Sequence, residues 1–449
     1  MYRIVLYQKN ILPIIIIRCC GLKLKEKSDK QPYLCDYSYV YEDFYPILLQ
    51  SNYNRIMKIQ IPDYIQVLID LLNQNHYSAY VVGGAIRNAL LGLPIHDYDL
   101  TTDATPDEML QVFSSYRVFK TGIQHGTITV LSKGQPVEIT TFRSENTYED
   151  HRHPSGVSFS DNIEEDCKRR DFTINALCYN KREGLIDFFG GIEDLHHQII
   201  RCIGNASERI DEDALRILRA LRFAGRLSFT IEENTATAIH KQKDLLHYIS
   251  EERIHNEWVG ILETNALSFI LTEYSDVIQV FIPELKEYII QESLTSINQS
   301  PLNANIRMAI LLKNISNAKE ILERLKYSGA EQSVILSCIR NSEYKLSSKI
   351  ELKQFLSTLN IPFDTYHQYR TAIDSNYERE NIHAYYQEIQ NMHEPYQLKD
   401  LVINGNTVKE LGYQGKDIKD ILQRCLDAVI EKPENNTIEY LMNMIKRTL

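Results

Sequence analysis

Glycine is scarce in this chain, 18 of 449 residues, about 4% against the ~7% of average usage. A turn-rich all-β architecture is therefore disfavoured and a helix-dominated chain is expected. The eight cysteines stand at 19, 20, 35, 167, 178, 202, 338 and 425. They form no C-x-x-C pair and have no His at zinc spacing, so free thiols in a reducing cytoplasm are expected. No apolar run approaches the ~18 residues needed to span a bilayer; the closest, Ile11 to Ile17, is broken at Arg18, and no membrane partner is expected. Basic charge is not in excess either: 49 Lys and Arg against 60 Asp and Glu give a net charge of −11. That sign excludes a globally basic nucleic-acid coat and leaves only local patches open. The 43% hydrophobic content excludes disorder of the whole chain. The length suggests about three domains at roughly 150 residues each.

Residues 1 to 56 carry eight basic and five acidic residues without clear periodicity. The segment reads as a targeting signal or, as preferred here, an extension unrelated to the fold, with Met57 a candidate start. From there Ile61, Ile65, Val67, Leu68, Leu71 and Leu72 fit one helical face. A short strand, Tyr80 to Val82, runs into Gly83-Gly84, and a helix from Ala85 to Leu91 is closed by Gly92 and Pro94. Asp97 to Thr101 reads as a strand. Thr127 to Leu131 and Val137 to Phe142 flank a hairpin signal at 132–136. Beyond Gly204 the patterns are of helical period, including Ile306 to Lys326 closed by Gly329, and Ile418 to Ile430. The expected architecture is an α/β head followed by an all-helical remainder.

Asp97 and Asp99, at i and i+2 on a strand, leave the same face and can share a divalent cation. Glu138, between apolar Val137 and Ile139, projects opposite to them and is a candidate third carboxylate. Hard oxygen ligands without His or Cys suit Mg²⁺, which orients phosphates and activates an attacking hydroxyl. An acidic i, i+2 pair alone is also common at solvated strand ends. Here it follows a strand–Gly83–Gly84–helix turn that lets backbone N–H groups approach a phosphate, with Arg87 one turn on. The combination points to phosphoryl or nucleotidyl transfer.

Val81-Val82-Gly83-Gly84-Ala85-Ile86-Arg87 and His96-Asp97-Tyr98-Asp99-Leu100-Thr101-Thr102 resemble the head of class II tRNA nucleotidyltransferases and bacterial poly(A) polymerases, of the polymerase-β-type superfamily. Three further blocks resemble that family in order: 137–143, 169–176 (Arg169-Arg170-Asp171-Phe172-Thr173-Ile174-Asn175-Ala176) and 212–219 (Glu212-Asp213-Ala214-Leu215-Arg216-Ile217-Leu218-Arg219). The strong resemblance spans roughly 75 to 227. A weaker one, Ile403-Asn404-Gly405-Asn406 with Leu411-Gly412, is similar to the C-terminal domain of Gram-positive-type CCA-adding enzymes. Asn88 departs from the Asp usual in the family, which puts its contact to Arg87 in question.

A helix running from Asp211 places Glu212, Arg216, Arg219, Arg222 and Arg226 within one sector, with Asp213 at its border and Ile217, Leu218, Leu221 and Ala224 opposite. Such a face is often simply solvated. Four arginines on one stripe nevertheless repel one another and invite an anion such as a triphosphate or an RNA end. Cytosine and adenine each present an amino donor beside a ring-nitrogen acceptor, so Asp213 with Arg216 complements both. Uracil and guanine present the reverse order and would leave polar groups unpaired. The resemblance implies a base-selecting role for Glu212, Asp213 and Arg216, and nucleotide contacts for Arg170, Arg219 and Arg222. Arg169 and Arg170 equally fit a helix-start ion pair with Asp166.

The resemblance implies metal-dependent addition of CCA to tRNA from CTP and ATP, in the cytoplasm. A poly(A) polymerase or a partial CC- or A-adding enzyme shares the same head, and an inactive RNA-binding relative is a third reading. Thr147 to Phe159, with Asp150 and Arg152, resembles the flexible loop of full CCA-adding enzymes and is the candidate switch from C to A. The expected division is a head over 57–196, a neck with the base-recognition helix over 197–265, a helical body over 266–398 and a tRNA-binding tail over 399–449. The tail carries eight basic and eight acidic residues and so no electrostatic signature. Oligomeric state and tRNA contacts are not legible.

Overall fold

The structure, a computed structural model, describes residues 59–145 and 157–447. The expectations for residues 1–56, and for Asp150 and Arg152, lie outside the described residues. Helix α1 (Asp63–Gln74) starts after Pro62, whose φ of −58° suits a helix entry, and buries Ile65, Leu68, Ile69 and Leu72. It leads into strand β1 (Ala79–Val82), buried at all four positions. Gly83, at φ 70°, then turns the chain into α2 (Gly84–Leu91), and Gly92 ends that helix in the left-handed region at φ 66°. Only a residue without Cβ adopts these angles cheaply.

Strand β2 (Asp99–Thr102) follows, then α3 (Pro106–Val112), β3 (Arg117–Phe119), β4 (Thr127–Ser132) and β5 (Gln135–Thr141). The β4–β5 turn is shorter than the sequence suggests. Ser132 pairs with Gln135, and Lys133 and Gly134 both take positive φ, 47° and 81°, as a two-residue hairpin matching the right-handed strand twist requires. Arg143–Glu145 (β6) and Val157–Phe159 (β7) form a separate ribbon. Helix α4 (Ile163–Lys168) and strands β8 (Cys178–Asn180) and β9 (Gly184–Ile186) complete the head, whose sheet order is β3-β4-β5-β2-β1-β8-β9. Only β2 and β5 pair in parallel in this sheet.

After β9 the remainder is not all-helical as expected, because Ile199–Ile200 (β10) pairs in parallel with Thr230–Ile231 (β11); its helices begin with α5 (Gly191–His197), α6 (Ala206–Glu212), α7 (Leu215–Leu227), α8 (Glu233–Gln242), α9 (Glu251–Leu262), α10 (Leu267–Glu273), α11 (Ser275–Phe281) and α12 (Glu287–Gln299). The helix expected over Ile306 to Lys326 is two, α13 (Ala304–Leu312) and α14 (Ala318–Arg324). Gly329 does not close it but opens α15 (Gly329–Arg340), because Ser328 and Glu331 form a capping box there. Then come α16 (Lys349–Thr358), α17 (Phe363–Ile373), α18 (Arg379–Asn391), α19 (Gly405–Glu410), α20 (Lys416–Glu431) and α21 (Ile438–Lys446). The largest core runs from Ile59 to Ile389 and includes fully buried Trp258, a small one in the head joins Tyr80, Val82, Phe142, Cys167, Ala176, Cys178 and Ile203, and Leu401 to Ile445 close a third. Among the described residues no helix is long and apolar enough to cross a membrane.

Candidate active site

The register of two parallel strands builds the acidic centre. Asp99 on β2 lies opposite Glu138 on β5, so both side chains leave the same face. Each is exposed while its strand neighbours Leu100, Val137 and Ile139 are buried. Asp97 does not belong to the ladder, which begins at Asp99. The expected strand from Asp97 is thus corrected: strand alternation holds Asp99 but not Asp97. The Asp99 carboxyl is raised above its usual range by desolvation first, then by the charges of Glu138 and Asp97, with Arg170 acting in the opposite sense. Its side chain reaches solvent at the rim, so the desolvation comes from protein packed around one side. Among the described residues no three His, Cys, Asp or Glu side chains group closely enough to hold a metal ion. A preformed three-carboxylate cage is therefore not what the fold provides. It provides mutually repelling hard oxygen donors, a set that a hard divalent cation relieves.

The glycine turn lies beside this centre. Gly83 donates its N–H to the Leu177 carbonyl at 3.2 Å, and a Cβ built on it would stand 3.2 Å from Arg170 Nη1. Arg170 therefore overlies the turn. Arg87 is buried rather than turned out to a phosphate. Its Nη1 donates to Asn175 Oδ1 at 2.6 Å, and its Nε and Nη2 donate to Asn88 Oδ1 at 3.1 and 2.9 Å. The contact placed in question by Asn88 is thus made, with an amide oxygen in place of a carboxylate. Burial, then the charge of Arg226 and more weakly those of Arg222 and Arg219, lower the Arg87 guanidinium to about 10, against the opposing charge of Asp171.

Arg169 and Arg170 do pair with Asp166, but at the end of α4, not at a helix start. Arg169 Nε donates at 2.8 Å and Arg170 Nη2 at 3.3 Å. Asp166 is fully buried, and Thr101 adds a hydroxyl donor at 3.2 Å. Burial would raise its carboxyl, and the two guanidiniums hold it below the usual range instead. Neighbouring Cys167 and Cys178 are buried free thiols with sulfurs 3.1 Å apart. The other described cysteines, 202, 338 and 425, are free as well.

The arginine stripe is corrected most. Glu212 ends α6 and Asp213 is extended (φ −142°, ψ 101°), so the chain breaks before α7 begins at Leu215. At the break Asp213 Oδ1 caps α7, accepting the Leu215 N–H at 3.1 Å in place of the Asp211 carbonyl that an unbroken helix would offer. Arg216 turns inward, donating to Glu212 at 2.8 Å and to the Arg209 and Arg169 carbonyls at 2.5 and 3.1 Å. Asp213 instead meets Arg253 of α9 at 3.3 Å. Arg219 donates to Asp171 at 2.9 and 2.7 Å, and Arg222 to Glu257 at 2.5 Å. The repulsion expected along the stripe is thus largely answered by carboxylates from elsewhere in the chain. The apolar side is as expected: Ile217, Leu218, Leu221 and Ala224 are buried. Phe223, also buried, lies under the guanidiniums of Arg87, Arg219 and Arg222 at 5.0, 5.4 and 4.6 Å. Asp171 and Asn175 belong to the 169–176 block without a role assigned to them from sequence, and Arg253 and Glu257 stand outside every block named there. Arg253 and Glu257 carry the i, i+4 opposite charges of an ordinary surface helix, which gave no reason to choose them.

The family described as "Poly A polymerase head domain" matches residues 79–201, and that described as "Probable RNA and SrmB- binding site of polymerase A" matches 228–289. A CCA-adding enzyme of Streptococcus thermophilus is 32% identical over 397 residues, covering 84% of this chain and 95% of that protein. The chain belongs to the CCA-adding enzyme family. A CCA-adding enzyme of Ligilactobacillus salivarius is 49% identical over 195 residues, 43% of this chain and 48% of that protein. At that level of identity the chain spans about half the length of the family members it matches. The crystal structure of the Bacillus stearothermophilus CCA-adding enzyme in complex with CTP aligns over 87% of this chain and 99% of its own, at 27% identity and a TM-score of 0.74. The nucleotidyltransferase head followed by helices is the fold of this family.

Proposed function

We propose that this chain adds CCA to the 3′ end of tRNA from CTP and ATP, without a template, releasing diphosphate at each step. The observation that carries the proposal is the registered Asp99–Glu138 pair beside the Gly83-Gly84 turn, in a chain whose relative from Bacillus stearothermophilus was solved with CTP. Asp97 and Asp99 would hold Mg²⁺, which when bound lowers the barrier to attack of the tRNA 3′-hydroxyl on the α-phosphorus. Glu138 adds negative charge on the same face. Arg170, over the glycine turn, and the exposed Arg226 are suited to the triphosphate.

In base selection Asp213 supplies the acceptor for the amino group of cytosine or adenine. Arg216 and Glu212, paired with each other, hold the turn that presents it. Arg219 and Arg222 contribute from α7. The flexible-loop role of Asp150 and Arg152 remains part of the proposal, as do the division into head, neck, body and tRNA-binding tail and a cytoplasmic location.

Purified protein incubated with a tRNA transcript lacking CCA, and with each labelled nucleotide separately, tests this reading. CTP alone should add two residues, and ATP should add one only after them. Repeated ATP incorporation would identify a poly(A) polymerase, and no incorporation would leave the inactive RNA-binding reading.

A further inference from the structure

The register that sets Glu138 beside Asp99 continues across the sheet. Glu138 of β5 pairs with Thr129 of β4, and Thr129 pairs with Phe119 of β3. Paired residues share a face, so Asp99, Glu138, Thr129 and Phe119 form one row on the open side of the sheet. The adjacent row, Val137, Val130 and Val118, turns the other way, and its Val137 and Val130 are buried in the core. Phe119 is accordingly 39% exposed, a large ring left open on the face that carries the acidic centre. Arg117, two residues earlier and therefore on the same face, lays its guanidinium over that ring, 5.0 Å from the centroid. Both stand on β3, the last strand on that side of the sheet.

The order of the strands gives this face a direction. The Gly83-Gly84 turn follows β1 and Arg170 overlies it, so the cradle suited to a triphosphate lies on the β1 side of Asp99. Attacking and leaving oxygens stand roughly in line across a phosphorus in transfer. With diphosphate leaving towards β1, the attacking hydroxyl comes from the opposite side, over β5, β4 and β3. Neighbouring strands are ~4.8 Å apart, which puts Phe119 about 10 Å beyond Glu138. At ~3.4 Å per stacked nucleotide, that distance lies two to three nucleotides back from the reacting end. Between them the surface is one of small polar groups, Thr129 and the Thr127 and Thr140 hydroxyls 2.9 Å apart. Unlike Arg219 and Arg222, Arg117 has no carboxylate partner among the described residues, and its charge stays available to a phosphate.

We propose that Phe119 and Arg117 form a binding platform for the RNA strand that receives the nucleotide: a base two to three positions from the 3′ end stacks on the ring and guanidinium, and Arg117 meets the adjoining phosphate. Aromatic rings and guanidinium planes are the flat surfaces on which splayed RNA bases lie. Such stacking tolerates any sequence, because every base has a π-face. A strand whose last residues change with each addition needs that tolerance. The proposal deepens the function proposed above and rests on it.

Full-length wild type, Phe119→Leu, Phe119→Trp and Arg117→Gln are compared by KM for tRNA and for CTP, by thermal melting, and by the fluorescence of a tRNA transcript carrying 2-aminopurine at the third position from its 3′ end. Stacking quenches that base, so wild type should dim it on binding. Phe119→Leu keeps the apolar bulk and loses the ring; it should not quench, and its KM for tRNA should rise about tenfold, equivalent to ~1.4 kcal/mol. Phe119→Trp, which restores a ring, should recover both. Arg117→Gln should weaken tRNA binding and reduce its salt dependence by about one phosphate contact. KM for CTP and the melting temperature should stay close to wild type in all three variants. Unchanged quenching and KM for tRNA in Phe119→Leu overturn the proposal. So does a KM for CTP that rises in step with that for tRNA, the mark of a disturbed sheet. A wild type that incorporates neither nucleotide fails the functional reading and this proposal with it; an active wild type with an indifferent Phe119→Leu fails the proposal alone.

Discussion

Asp99 and Asp171 are both carboxylates set among charges, and their surroundings push them in opposite directions. Asp99 faces Glu138 across the β2–β5 register and has no ion pair among those described. Changing it to Asn removes a donor without opening a cavity. Asp99→Asn and Asp97→Asn should therefore abolish incorporation of both C and A while leaving the melting temperature nearly unchanged. Near-normal turnover in either variant removes the nucleotidyltransferase reading. Glu138→Gln should also be slow, and a normal rate would reassign Glu138 to structure. Asp171 is different. Burial alone would raise it, yet the Arg219 charge and the hydrogen bonds from Asn175, Arg219 and the Phe172 N–H hold it below its usual value. A carboxyl whose folded value is depressed stabilises the fold above its unfolded value, near ~3.9, and loses that contribution as pH falls through the folded one. Asp171→Asn should thus cost about 2 kcal/mol at neutral pH, less than the 3–5 of a fully buried pair because Arg219 is 32% exposed. It should also flatten the stability profile below about pH 4. Denaturant melts from pH 3 to 7 measure both effects, and an unchanged acid limb would detach Asp171 from the acid response.

At the scale of elements, α7 is the piece that other helices position. Its inner side is buried from Leu215 to Gly225, and at Gly225 the neighbouring chain comes so close that an added Cβ would stand 2.7 Å from Thr264 Oγ1 and 2.8 Å from Ile270 Cδ1. Gly225→Ala therefore sets two effects against each other. The gain in helix propensity is at most ~1 kcal/mol, whereas overpacking a fixed contact costs ~1–3 kcal/mol. Thr264 cannot retreat freely, because its hydroxyl donates to the Ile261 carbonyl at 2.8 Å and its own carbonyl accepts from Arg307. A net loss of ~1–2 kcal/mol is expected in urea melts, with KM for CTP rising as α7 shifts under Asp213. A stabilised Gly225→Ala would show that Thr264 and Ile270 yield at no cost.

For the whole molecule, the separation of the C-terminal core from the largest one is decisive. The main core extends without a break from the head sheet into the helices up to Ile389, whereas Leu401, Val408, Leu426, Val429, Leu441 and Ile445 pack in a core of their own. Removing residues 399–449 should therefore leave the main unfolding transition and CTP binding close to those of the full chain. KM for tRNA should rise at least tenfold if the tail holds the tRNA, equivalent to ~1.4 kcal/mol. Calorimetry, CTP titration and incorporation kinetics on the truncated chain test this. Loss of CTP binding would mean that the two cores are not energetically separate, and an unaltered KM for tRNA would remove the tail's proposed role.

The sequence by itself determined what local rules can carry. The Gly83 turn and the left-handed close at Gly92 follow from the one residue type that takes those angles without strain. The shared face of Asp99 and Glu138 follows from strand alternation on two apolar-flanked segments, and the burial of Ile217, Leu218, Leu221 and Ala224 from helical period. The same rules misplaced Asp97, which lies before the ladder that would enforce alternation, and they ran α6 and α7 together because a break at Asp213 costs only one main-chain step and is repaid by a cap. Tertiary structure alone decided which distant charges meet. Glu212 and Arg216 meet at the local i, i+4 spacing, but Arg219 turns to Asp171, Arg222 to Glu257 and Asp213 to Arg253. Helical spacing places such groups in a sector, but the partner that neutralises each one arrives on another element, after a loop whose path no local pattern encodes.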